Sequence, residues 1–113
     1  MKLDDAQLIR MIRRMPNILL FSIATIESKV RFLFDHLDNE EEARDLLVKN
    51  PSLITYSLAN RYIPRLEEAM AEGVVINRSW LLRMGVSPEK KWIQYLKDHK
   101  KRMTEEELKD GWV

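Results

Sequence analysis

The sequence predicts an all-α fold, a solenoid in which three-helix repeats stack into a right-handed or left-handed superhelix, and three observations predict it. Pro16-Asn17-Ile18-Leu19-Leu20-Phe21-Ser22 recurs 35 positions later as Pro51-Ser52-Leu53-Ile54-Thr55-Tyr56-Ser57, and a period of that length marks repeat architectures. Segment after segment carries apolar residues at helical spacing, and none alternates as a strand does. The 113 residues are 45% hydrophobic and 33% charged, with three glycines and four prolines, the balance of a helix-rich globular chain rather than a disordered one. The reading is a single helical-repeat domain over 1–113: one repeat at 4–37, a second at 39–73, and a degenerate capping unit at 77–110.

In the first repeat Leu8, Met11, Ile12 and Met15 occupy i, i+3, i+4 and i+7, one face of a helix that Asp4 or Asp5 caps by accepting its orphan N–H groups. Ala43, Leu46 and Leu47 repeat that face 35 residues on. Asp38 or Asn39 caps this second copy, and Glu40, Glu41 and Glu42 sit in its first turn, where the helix dipole favours anions. The acidic run is thereby explained structurally. After each proline-started turn Ser22 or Ser57 caps a further helix. Its apolar stripe is Ile26, Val30, Leu33 and Leu37 in the first copy and Ile63, Leu66 and Met70 in the second, where the spacing is one residue longer. Pro64 suits a first turn and Gly73 the position just past a helix end.

Beyond Gly73 the repeat decays. Val74-Val75-Ile76 reads as an apolar link, Trp80 to Met84 as a short helix, and Ser87-Pro88-Glu89 as a helix start, with Trp92, Ile93 and Leu96 inward and the lysines outward. Thr104-Glu105-Glu106-Glu107 reads as a capping box that opens a last short helix containing Leu108. Repeats bury their apolar faces only by stacking, and their ends need atypical caps. The 77–110 unit has that character. The first helix does not, so further repeats upstream are expected.

Several chemistries are excluded or unsupported. With no cysteine there is no disulfide, thiolate metal site or cysteine nucleophile. No apolar run reaches the roughly 20 residues of a membrane span. His36 and His99 have no companion at ligand spacing, the glycines form no phosphate loop, and the carboxylate clusters sit where helix starts want them. No catalytic residue, metal, cofactor, small-molecule substrate or membrane partner is assigned, and the chain reads as a non-enzyme.

The block Asn50-Pro51-Ser52-Leu53-Ile54-Thr55-Tyr56-Ser57-Leu58, followed by Ile63-Pro64-Arg65-Leu66, resembles the repeat of the mitochondrial transcription termination factor (mTERF) family. Pro16 to Ser22, followed by Lys29-Val30-Arg31-Phe32-Leu33, resembles a second copy, and Ser87-Pro88-Glu89-Lys90-Lys91-Trp92-Ile93 is similar to the closing segment of plant members. The resemblance spans nearly the whole chain. It departs at Ser28, which stands where the second-helix proline of the first copy belongs. The resemblance implies a superhelix of triangular repeats in a mitochondrion or chloroplast, a basic concave side along double-stranded DNA or RNA, and work in transcription termination, its regulation or RNA maturation. Organellar ribosome components are the rival partner it implies, for a structural or assembly role.

Net charge is only +1, so the distribution of cations matters more than their sum. Lys29 and Arg31, Arg61 and Arg65, and Lys90 and Lys91 fall at helix starts and on expected outward faces. With the extra residue allowed for, Lys29 and Arg65 are equivalent and stacking places them in one row, suited to a phosphate backbone through counterion release. The competing reading is a solvated surface with weak ion pairs. Lys97, Lys100, Lys101 and Arg102 form a denser run that solvation alone also explains. Phe21 and Tyr56 could stack on bases, but their place between aliphatics and serine favours core packing.

Overall fold

The computed structural model describes residues 3–110, with side chains described as far as residue 107. Among the described residues six α-helices succeed one another: α1 (Asp5–Arg14), α2 (Ile23–Asp35), α3 (Glu40–Lys49), α4 (Ile63–Ala71), α5 (Arg78–Val86) and α6 (Glu89–Asp110). Two 3-10 turns, Pro16–Leu20 and Pro51–Thr55, link α1 to α2 and α3 to the next helix. No strand occurs among the described residues. The all-helical expectation holds.

The starts are set by side chains that satisfy orphan backbone donors. Asp4 accepts from the Gln7 N–H at 2.8 Å while the Gln7 side chain accepts from the Asp4 N–H, a reciprocal capping box at the head of α1. Asn39 accepts from Glu41 and Glu42 at the head of α3, and Asn77 from Trp80 at the head of α5. Ser22 and Ser57 cap as their position predicts, accepting from the Thr25 and Asn60 N–H groups. Gly73 ends α4 with φ of 73°, a backbone conformation that an L side chain resists.

Two rows result. α1, α3 and α5 touch in succession, and α2 packs on α3 and on the Pro51–Thr55 turn. The second row runs from α2 through α4 to α6, joined by Phe32 against Tyr62 at 5.3 Å between ring centroids and by Arg65 over Trp92 at 5.5 Å. One core lies between the rows, with Met11, Leu33, Ala43, Leu46, Leu47, Leu53, Ile54, Tyr62, Leu81, Met84 and Trp92 nearly or wholly buried. Side-chain burial of this kind, at about 25 cal/mol per Å² of apolar surface, is what holds stacked helices together.

Three expectations need correction. Of the stripe Ile63, Leu66, Met70 only Leu66 packs against the core: Ile63 and Met70 are exposed, and the buried positions are Tyr62, Arg65 and Ala69. The cause is a π-helical turn at Leu58–Tyr62, whose Tyr62 N–H reaches back five residues to the Ser57 carbonyl. That wide turn takes up the extra residue of the second copy. Ile93 is likewise exposed, although its neighbours Trp92 and Leu96 are buried. Finally, Thr104 does not open a new helix. It lies inside α6 and donates its hydroxyl to the Lys100 carbonyl, so the acidic run after it extends the same helix.

The molecule measures 55 × 26 × 20 Å with a radius of gyration of 16.2 Å, against about 13 Å for a round domain of this length. Much of that length is α6. Its 22 residues make a rod of about 33 Å at 1.5 Å per residue, and positions 100–107 are exposed on every side.

Candidate nucleic-acid interface

The six cations marked out in the sequence divide into two groups. Lys29 and Arg65 do occupy equivalent positions, on α2 and α4, but they face inward: Lys29 is 8% exposed and Arg65 7%. The expectation that they present an outward row fails because the helix period sets Lys29 on the buried face of α2, and the π turn before Arg65 gives Arg65 the same phase on α4. Arg65 donates from Nη1 to the carbonyls of Met84 at 2.9 Å and Ser87 at 2.8 Å. Those carbonyls lie at the end of α5, where a helix leaves acceptors unfilled and favours a cation. The Arg65 guanidinium also covers Trp92, and burial lowers its pKa from the ordinary value.

Arg61 acts in the same place. Its Nη1 donates to the Gly85 carbonyl at 2.6 Å, and its guanidinium lies 4.5 Å from the centroid of Tyr56. Lys29 lies 5.7 Å from the Phe21 centroid, and burial pushes its pKa below the usual lysine value. Phe21 and Tyr56 are therefore half-buried beneath cations rather than offered as open stacking surfaces.

The other three cations are free. Arg31 on α2 and Lys90 and Lys91 in the first turn of α6 are exposed. Among the described residues none of the three has a side-chain hydrogen bond or ion pair, unlike Arg44, Lys49 and Arg78, which bridge to Glu40 and Asp45. The denser run joins this group. Lys97, Lys100, Lys101 and Arg102 are exposed and equally without a partner, while Asp98, the acid within the run, accepts from Gln94 at 2.8 Å. With 100° per residue, Lys90, Lys97 and Lys101 fall within about 40° of one another on α6.

A groove between α4 and α6 of about 360 Å³ is lined by Asn60, Arg61, Arg65, Glu68, Glu89 and Trp92. Its two arginines are engaged as described and its acids offset them. It offers no nucleophile, no base held against one, and no group of three or more metal-ligating side chains, a pattern also missing elsewhere among the described residues. No helix among the described residues is long and apolar enough to cross a membrane.

One structural cation went unmarked in the sequence. Arg14, in the last turn of α1, donates to the Val48 carbonyl of α3 at 2.7 Å. Its sequence signal is only that of a basic residue near a helix end. With Arg65 and Arg61 it shows one device used twice, an arginine of one helix filling the terminal carbonyls of a helix in the following unit.

Neither a search of curated proteins nor a search of solved structures returned a match. The family model for mTERF matches residues 2–88, which takes in both proline-started turns, the capped helices around them and all of α5. On that match, the chain belongs to the mTERF family.

Proposed function

We propose that this chain is a non-catalytic nucleic-acid-binding module of organelle gene expression, in a mitochondrion or chloroplast, acting in transcription termination, its regulation or RNA maturation. It grips the phosphate backbone of double-stranded DNA or RNA through cations on α2 and α6. The observation that carries this reading is the set of unpartnered cations, Arg31, Lys90 and Lys91 with Lys97, Lys100, Lys101 and Arg102 beyond them. Each cation that neutralises a phosphate releases counterions, and this supplies affinity without reading sequence. Membership of the mTERF family supports the same reading.

The aromatic residues favour a double helix over a single strand. Among the described residues every Phe, Tyr and Trp is buried or half-buried, so no open ring platform awaits unpaired bases. In this reading Lys29, Arg61 and Arg65 shape and hold the helices that present the free cations. The test is fluorescence anisotropy of labelled duplex DNA, duplex RNA and single-stranded RNA at two salt concentrations. Duplex binding that weakens steeply with salt supports the proposal, and absence of binding at low salt overturns it.

A rival reading is favoured by one observation, the net charge of +1. It makes the chain a structural or assembly component of an organellar ribosome, and co-sedimentation with ribosomal particles that survives nuclease supports it over the first.

A further inference from the structure

Thr104 stands between two runs of opposite charge. Lys97, Lys100, Lys101 and Arg102 precede it, and Glu105, Glu106 and Glu107 follow it directly. The fold makes no use of the acidic run. Thr104 lies inside α6, so these glutamates open no helix, and among the described residues none of the three has an ion pair or a side-chain hydrogen bond.

The hydroxyl is accessible. Positions 100–107 are exposed on every side, and among the described side chains the last that α6 buries in the body is Leu96. A helical end without tertiary contacts opens at little cost. The one bond of the Thr104 hydroxyl, to the Lys100 carbonyl four residues back, opposes the helix slightly rather than supporting it. An enzyme that binds its substrate in extended form can therefore draw this segment out. A hydroxyl followed by three carboxylates is the charge pattern that an acidophilic protein kinase selects, through basic side chains set to read the residues after the acceptor.

We infer that Thr104 is a phosphorylation site, and that its phosphate withdraws Lys100 and Lys101 from contact with a nucleic-acid backbone. The second half rests on the function proposed above. The donor is ATP: the bond from Thr104 Oγ1 to the γ-phosphorus forms as the bond from that phosphorus to its bridging oxygen breaks. ADP leaves with the electron pair, and the hydroxyl proton goes to the catalytic carboxylate of the kinase. The product carries about −1.5 to −2 of added charge and three acceptor oxygens. Side chains on a helix lean toward its N-terminus. Lys100 and Lys101 lie four and three residues before Thr104, the spacings at which side chains meet along one face. Glu105 and Glu107 repel the phosphate in the same direction.

The full chain treated with an acidophilic protein kinase and magnesium ATP tests this. Mass spectrometry is expected to place one phosphoryl group on Thr104, and none at position 104 in Thr104→Val, which keeps the branched shape and lacks the acceptor. Phosphorus NMR reads the pairing without nucleic acid. The second ionisation of the phosphate is expected below its ordinary value of about 6, returning to it when Lys100→Gln and Lys101→Gln are introduced. Against labelled duplex, phosphorylation is expected to lower the slope of log affinity against log salt by about two. A chain left unmodified at Thr104 overturns the inference, as does a phosphate that titrates at its ordinary value in the parent chain. An unchanged salt slope overturns the second half. If the unmodified chain binds no duplex at low salt, the nucleic-acid reading falls and takes the second half with it, while the mass and phosphorus measurements still decide the site.

Discussion

The hydroxyl of Tyr62 donates to the main-chain carbonyl of Leu53, two buried groups that tie the π turn to the 3-10 turn before it. The Leu53 carbonyl belongs to the 3-10 turn Pro51–Thr55, and Leu53 and Tyr62 are both wholly buried. Burial also pushes the Tyr62 pKa well above the tyrosine range, so the hydroxyl stays a donor. Tyr62→Phe removes that donor and strands the carbonyl. The expected loss is about 1–3 kcal/mol, read as a lower midpoint in urea unfolding with an unchanged slope.

Gly85 passes directly against the same pair. A Cβ on Gly85 would fall on Leu53 Cδ2 and within 2.8 Å of the Tyr62 hydroxyl. Gly85 lies within α5, where replacing glycine by alanine ordinarily stabilises by roughly 0.5–1 kcal/mol. Here the sign reverses. Gly85→Ala is expected to destabilise by about 1–3 kcal/mol, as overpacked cores do, and thermal unfolding decides the sign directly.

Arg65 and Lys90 share a charge but separate in their effects. Arg65→Lys loses the planar guanidinium over Trp92 and the fixed geometry that aims one nitrogen at both the Met84 and Ser87 carbonyls. A cost of about 1.5–3 kcal/mol is expected, with duplex affinity of the folded protein preserved. Lys90→Gln with Lys91→Gln leaves Tm unchanged and lowers the slope of log affinity against log salt by about two. A double variant with the parent slope removes these lysines from the interface.

Lys29 predicts a pH dependence. Its pKa in the fold lies below the ordinary 10.5 because burial disfavours the charge. Between the two values the unfolded chain binds more protons, so stability rises with pH through that window. Below it the buried charge opposes folding. Lys29→Met is therefore expected to be more stable than the parent at neutral pH, with the difference shrinking as pH climbs towards 10.5. Paired denaturant titrations of the two proteins measure it, because other titrating groups cancel in the difference.

How much of this was legible in the sequence depends on the range of each interaction. Asp4, Ser22, Asn39 and Ser57 announce themselves as caps because a cap bonds two or three residues away, within the reach of a local pattern. The faces of α1 and α3 were legible for the same reason. Arg65 was not. Its partners, Met84 and Ser87, are 19 and 22 residues distant, and nothing local distinguishes a cation seeking carbonyls from one seeking phosphate. Of the six candidate contacts, the free cations Arg31, Lys90 and Lys91 are exposed as expected, while the equivalence of Lys29 and Arg65 was readable but their direction was not. Thr104 misled because Thr before three glutamates satisfies a capping pattern, although the preceding lysines carry α6 through it.

The turn at Leu58–Tyr62 bears on how such a molecule can change without coming apart. An added residue in a helix would rotate everything after it by about 100° and turn its packed side to solvent. Closing one loop of backbone five residues back instead of four cancels that rotation, so that Tyr62, Arg65 and Ala69 meet their neighbours as Ile26, Lys29 and Leu33 do in the shorter unit. Successive units therefore hold in common an angle and not a length. This unit carries its extra residue in one π turn, while the helix after it keeps the packed side that the shorter unit has.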